Sequence, residues 1–169
     1  MKPVAVLFAR SDSVYKLLDG VDVWDADRDA RKWPGSSPVV AHPPCRAWGR
    51  LRDFAKPRVD EKDLARWAVH QVRKYGGVLE HPAGSTLWPD MALPKPGFRD
   101  EFGGWTLAAP QKWWGHKAEK ASWFYVVGLA ASEIPAFPIV VDRMKYTGRE
   151  HTPPLLAAWL VELARMCRP

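Results

Sequence analysis

The sequence predicts an α/β fold in which a mostly parallel sheet carries helices on both faces. Three observations predict it. Short apolar runs of strand length, Val4 to Phe8, Val21 to Trp24, Val39 to Ala41 and Val78 to Glu80, alternate with segments whose apolar residues recur at helical spacing. Strand, crossover and strand repeated this often favours parallel pairing. Finally, 169 residues with 47% hydrophobic side chains, ten of the residues being tryptophan, fit one domain, residues 1–169, with one full core.

The elements follow in chain order. Val4 to Phe8 reads as a buried strand, Ser13 to Leu18 as a short helix, Val21 to Trp24 as a second strand and Val39 to Ala41 as a third. Asp60 to Lys74 carries Leu64, Trp67, Ala68 and Val72 at helical spacing, with Asp60, Glu61 and Asp63 in the first turn, where the helix dipole favours acids. Gly76-Gly77 stops it. Val78-Leu79-Glu80 is a fourth strand, broken by His81-Pro82. Pro89 to Pro110, rich in Pro and Gly, reads as the longest loop and a candidate lid or binding loop. Trp123 to Val127 and Ile139-Val140-Val141 are further strands, and Pro154 to Met166 is a final helix with Leu155, Leu156, Trp159, Leu160 and Leu163 on its buried face. There is no internal repeat and no low-complexity tract.

A formal charge of +6 and a pI near 9.5 favour a polyanionic partner, nucleic acid first. Met1 to Ala9 has no signal-peptide cleavage pattern, and no apolar stretch is long enough to span a bilayer. The expectation is therefore a cytoplasmic protein without a membrane partner, its Cys45 and Cys167 both reduced.

The segment richest in chemistry is His42-Pro43-Pro44-Cys45, directly after the third strand. A Pro-Pro pair locks the backbone extended and leaves Cys45 in a turn beyond the strand end, where open α/β sheets keep their ligands. Beside Arg46 or a helix N-terminus, the thiol of Cys45 would be lowered in pKa and become a nucleophile; otherwise it is a small buried hydrophobe. Glu80 ends the fourth strand and should emerge at the same sheet edge. There it either holds a proton for donation to a ring nitrogen or is an exposed strand-end charge. Asp25 and Asp27 follow the second strand as ribose ligands of a nucleoside cofactor or as helix N-terminal charges. In Trp113-Trp114-Gly115-His116-Lys117 the rings could stack on bases or sit in the core. No metal is expected: His42, His81, His116 and Cys45 lack ligand spacing.

In order along the chain, "VLFARSDS", "VDVWDADRDA", "VVAHPPC", "VLEHPAGS", "WWGHKAEKASWFYVVG" and "HTPPLLAAWLVELA" resemble the DNA cytosine-5 methyltransferases, especially the short forms encoded by phages and prophages. The resemblance covers most of the chain. It implies a Rossmann-like methyltransferase fold in which Cys45 attacks C6 of a flipped cytosine, Glu80 protonates or hydrogen-bonds N3, and C5 takes a methyl group from S-adenosylmethionine. By the same mapping Asp25 is the ribose ligand, with Asp27 two residues on and Ala30 packing behind. Phe8, Ala9, Ser11, Ser13, Ala26 and Pro43 complete the implied cofactor site, and Arg46, Arg50, His116, Lys117 and Lys120 the implied contacts to DNA or a cytosine nucleotide. Three departures are visible. No glycine follows Phe8-Ala9, where Arg10-Ser11-Asp12-Ser13 stands instead of a Gly-rich turn; His42 occupies a small-residue position; and the family's Gln-x-Arg-x-Arg pattern is reduced to Lys117, Glu119 and Lys120. Between Val127 and Thr152 there is room for only one strand and a turn, so no target-recognition domain is expected. Sequence specificity is then low, or comes from a partner protein, the Pro89 to Pro110 loop or a second copy of the chain. The alternative expectation is a non-catalytic nucleic-acid-binding phage protein that interferes with host modification or defence.

Overall fold

The central strands form because their residues are apolar on both faces and are covered on both. In the computed structural model, which describes residues 2–138, 140 and 150–168, β1 is Val4–Leu7 and all four of its residues are fully buried. It pairs in parallel with β2 (Val21–Trp24) and β3 (Val39–Ala41), and β3 pairs in parallel with β4 (Gly77–Pro82). Beyond β4 lie β6 (Ala121–Val127) and then β5 (Trp105–Pro110), each pairing antiparallel to its neighbour. The six-stranded order is β2-β1-β3-β4-β6-β5, and β6 alone runs against the rest. The expected α/β class and mostly parallel sheet are therefore present.

The helices take opposite faces. Along α1 (Glu61–Tyr75), Leu64, Ala65, Ala68, Val69 and Val72 recur at helical spacing and pack with Ala5, Leu7, Ala41 and Leu79. Along α3 (Pro154–Met166), Leu156, Leu160, Val161 and Leu163 pack with the alternate residues Val4, Val6, Val40 and Val78. Each fully buried Leu or Val contributes roughly 1.5–3 kcal/mol. Trp114, Phe124, Phe137 and Trp159 form an aromatic cluster on the α3 side, with Trp114 and Trp159 centroids 5.1 Å apart.

Register decides what the sheet presents. Leu7 is level with Ala41, and Ala41 with Leu79, so the next residues, Phe8, His42 and Glu80, emerge together at the carboxyl edge. By the two-residue alternation of a strand, His42 and Glu80 share the face of Val40 and Val78, which α3 covers. Gly77 permits this register. Its φ is +130°, and a Cβ there would lie 2.0 Å from the Val39 carbonyl oxygen.

Several expectations need correction. His81-Pro82 does not break the fourth strand: β4 continues to Pro82, which pairs with Ser122, a terminal position where a missing N–H is tolerated. The expected loop Pro89 to Pro110 ends in strand β5. Its earlier part is tied down by α2 (Leu87–Asp90), by the Thr106 hydroxyl on the Pro94 carbonyl (2.6 Å) and by Arg73 on the Met91 carbonyl (3.0 Å). The short helix after β1 is a 3₁₀ turn, Val14–Leu17, and β1 stops at Leu7 because Phe8 turns to φ +63°. Leu155 is exposed rather than buried with the other α3 leucines. Of the expected strand at Ile139-Val140-Val141, Ile139 and Val141 lie outside the described residues.

Candidate functional site

At the carboxyl ends of β1, β3 and β4 the sheet opens into a cleft of about 1160 Å³. Cys45, Glu80 and Lys120 line it together, along with His42 and Tyr15. The Pro43-Pro44 pair carries the chain past the sheet edge, and the Cys45 carbonyl then accepts the N–H groups of Trp48 (3.0 Å) and Gly49 (2.8 Å), which fixes the turn. Cys45 is exposed to the cleft, not packed as a core hydrophobe. The cleft walls nevertheless desolvate its sulfur, and this together with the Glu80 charge raises the thiol pKa against the opposing pull of Lys120.

That direction is opposite to the expected one, and Arg46, the expected activator, is engaged elsewhere. Its guanidinium forms a bidentate pair with Glu61 on α1, with Nε at 2.7 Å and Nη2 at 2.6 Å. Glu61, buried at the helix start, also accepts the Arg58 N–H at 3.3 Å. Arg46 thus anchors the loop to α1 rather than activating the thiol.

Glu80 is buried, not an exposed strand-end charge. One oxygen, Oε1, accepts the Ser122 hydroxyl (2.6 Å) and the Gln111 amide (3.1 Å); the other, Oε2, lies 3.3 Å from His42 Nδ1. Burial alone would raise this carboxyl, but the Lys120 charge and the hydrogen bonds from His42 and Ser122 outweigh it and hold the group well below the usual range. Glu80 therefore rests as a carboxylate, not as the proton-holding acid that its strand-end position predicts. Beside it His81 is fully buried, its Nδ1 2.8 Å from the Ser85 hydroxyl, and burial pushes its pKa down to about 4, so it is neutral.

The expected cofactor residues divide. Phe8, Ala9, Ser13 and Pro43 line the cleft; Ser11, Asp25 and Ala26 do not. Asp25 is buried against Lys16 Nζ (2.7 Å) and the Arg28 N–H (3.2 Å), and the Lys16 hydrogen bond holds its carboxyl below the usual range. Its lone pairs are thus directed into the protein, Asp27 is exposed, and Ala30 is buried behind. Of the expected nucleic-acid contacts, Arg46, Arg50 and Lys120 are on the cleft wall. Lys117 is exposed outside it, whereas His116 is buried and accepts the Ala118 N–H at 3.0 Å, so it shapes the turn and cannot meet a polyanion. The Trp pair splits: Trp114 is core, Trp113 half-exposed. No part of residues 89–110 lines the cleft, so that segment is not its lid.

Sequence reasoning missed Tyr15, Gln111 and Ser122, which carry no motif and reach the site only through tertiary packing. The basic, aromatic stretch Arg46 to Phe54 that follows Cys45 in the sequence is exposed beyond Gly49, and Leu51 and Phe54 stand out there among Arg50, Arg52, Lys56 and Arg58. Phe54 is 85% exposed and stands with Leu51, 71% exposed, in the same basic segment. Among the described residues, no helix is long and apolar enough to cross a membrane, and no three His, Cys, Asp or Glu side chains are grouped to hold a metal ion. No protein-family model matches the chain, and no curated protein matches it.

Proposed function

We propose that this protein is a minimal, Rossmann-like cytosine-5 methyltransferase acting on nucleic acid. The observation that carries the reading is the convergence of Cys45, Glu80 and Lys120 on one cleft at the carboxyl edge of the sheet. A neutral thiol beside a buried carboxylate suits addition to cytosine. The sulfur lone pair forms a bond to C6, the C5=C6 electrons move to C4–C5, and the displaced C4=N3 pair takes a proton at N3. As the S–C6 bond forms the thiol proton is relayed across the Glu80 carboxylate to N3 without resting there, so no external acid is needed, and Lys120 stabilises charge as the proton moves. C5 becomes an enamine carbon. Once C5 has taken a methyl group, the C5 proton is lost to solvent, the C5=C6 bond re-forms as the sulfur leaves, and the N3 proton returns through Glu80 to that sulfur, which restores the aromatic ring and the neutral Cys45 thiol.

The cleft exceeds the roughly 300–1,000 Å³ of a typical single-ligand pocket and has room for a flipped base and a second, nucleoside-sized ligand. S-adenosylmethionine, held by Phe8, Ala9, Ser13 and Pro43, would supply an electrophilic methyl group at C5. The net charge of +6 and the rim of Arg50, Arg52, Lys56 and Arg58 favour phosphate contacts, and exposed Phe54 and Leu51 favour contact with unstacked bases. A second reading, a nucleic-acid-binding protein without methyl transfer, is favoured by one observation: Lys16 already occupies the Asp25 carboxylate.

The test is an oligonucleotide containing 5-fluorocytosine, offered with S-adenosylmethionine. Fluorine at C5 cannot leave as a proton does, so a covalent adduct that requires the methyl donor and disappears in Cys45→Ser is expected. No adduct on any cytosine oligonucleotide refutes the enzyme. Oligonucleotide binding with no uptake of S-adenosylmethionine selects the second reading.

A further inference from the structure

We propose that His42, fixed in one tautomer by Tyr15, is a positioning residue that aims the Glu80 carboxylate at the incoming base. The inference rests on the base-addition reading and adds two residues to it. Tyr15 sits on the 3₁₀ turn after β1, and its hydroxyl lies 2.7 Å from His42 Nε2. Burial, reinforced by the charge of Glu80, pushes the phenol well above its ordinary value, so Tyr15 keeps its proton. The Glu80 carboxylate can only accept, so the ring hydrogen belongs on the nitrogen that faces it, and in the neutral ring Nε2 is left to accept the Tyr15 hydroxyl. Nδ1 is the atom 3.3 Å from Glu80 Oε2. The bonds therefore run in one direction, from Tyr15 through His42 to Glu80.

The oxygens of Glu80 differ in what they have left to give. A carboxylate oxygen accepts about two hydrogen bonds, and Oε1 already takes Ser122 and Gln111. Among the described residues Oε2 takes His42 alone, so its remaining lone pair is the one available to a base N–H. His42 and the base would share that oxygen, and the imidazole fixes where the free lone pair points. His42 also lines the cleft, and the parity of β3 and β4 places it on the same sheet face as Glu80. Without Tyr15 the imidazole could present a bare Nδ1 to the carboxylate, two acceptors face to face.

Long-range ¹H–¹⁵N NMR on the full chain tests the tautomer. The Nδ1–H form is expected in the wild type and a mixture in Tyr15→Phe; an Nε2–H form or a doubly protonated ring in the wild type overturns the proposal. Adduct formation with the fluorinated oligonucleotide tests the consequence. His42→Ala should slow it about 100-fold, the effect of a misplaced catalytic group. His42→Asn, whose amide nitrogen stands where Nδ1 stood, should recover most of that loss, with circular dichroism confirming that each variant folds. Equal rates for the Ala and Asn variants, or a wild-type rate in His42→Ala, overturn the role of His42. A wild type that forms no adduct refutes the enzyme instead, and the proposal falls with it.

Discussion

Replacing Glu80 with glutamine keeps the shape of the side chain and removes its charge, and the cost of that change should depend on pH. In the folded protein the carboxyl is held well below its usual range by Lys120, His42 and Ser122 despite burial. In the unfolded chain it titrates near about 4.3. Above that value both states are ionised and the whole stabilisation is present. Below it the unfolded chain takes up a proton that the folded protein refuses, and stability falls toward a limiting slope of roughly 1.4 kcal/mol per pH unit. Between pH 7 and pH 3.5 the wild type therefore loses about 1 kcal/mol through this one group. Glu80→Gln has no such group. It also sets an amide N–H against a donor, His42 Nδ1 or the Ser122 and Gln111 pair, so at pH 7 it should be about 3 kcal/mol less stable. Urea unfolding of both proteins at pH 7 and 3.5 measures the two gaps, and the other acids cancel in the comparison. The gap should narrow by about 1 kcal/mol at the lower pH. A gap that stays constant would mean that the fold leaves the Glu80 carboxyl unshifted, and a gap that widens would mean that burial prevails and Glu80 holds a proton in the fold, in which case the proton path from Cys45 to N3 would lose its acceptor.

Further perturbations test the frame around the site. Gly77→Ala forces a Cβ to 2.0 Å from the Val39 carbonyl oxygen and 2.6 Å from its nitrogen, so it should cost at least about 3 kcal/mol or abolish soluble expression. Trp114→Ala should cost about 3–5 kcal/mol by thermal or urea unfolding, because the ring is core to the aromatic cluster. Trp113→Ala, at a half-exposed ring, should cost far less, and equal costs would show that the cluster is misassigned. Arg52→Ala should lower oligonucleotide affinity and reduce the slope of log affinity against log salt by about one if the guanidinium meets a phosphate. An unchanged slope would remove Arg52 from the interface.

The parts of the fold that could be read from sequence are those whose signal is local. Val4 to Leu7 is apolar throughout, and α1 and α3 repeat their apolar residues at helical spacing, so burial on two faces or on one stripe is written in the residues themselves. Strand β5 is hidden because Trp105–Pro110 lies at the end of a Pro- and Gly-rich stretch; antiparallel pairing with β6 makes it a strand. The site divides in the same way. The stiff Pro-Pro turn announces Cys45, and a strand end announces Glu80. The state of each group was not legible, since it depends on partners far along the chain: Glu61 diverts Arg46 from the thiol, and Ser122, Gln111 and Lys120 convert Glu80 from an acid to a carboxylate. Asp25 shows the same limit, because nothing local in Trp24-Asp25 reveals that Lys16 folds back onto it.

The central claim is that Cys45 adds to the C6 of a pyrimidine base. An oligonucleotide carrying 2-pyrimidinone in place of cytosine tests it most directly, because a ring without the 4-amino group is more electrophilic at C6 and needs no methyl donor. Intact-protein mass spectrometry should find one oligonucleotide joined to each chain, peptide mapping should place the bond on Cys45, and Cys45→Ser should form none. A wild type that forms no adduct, or an adduct that persists in Cys45→Ser, would contradict the account.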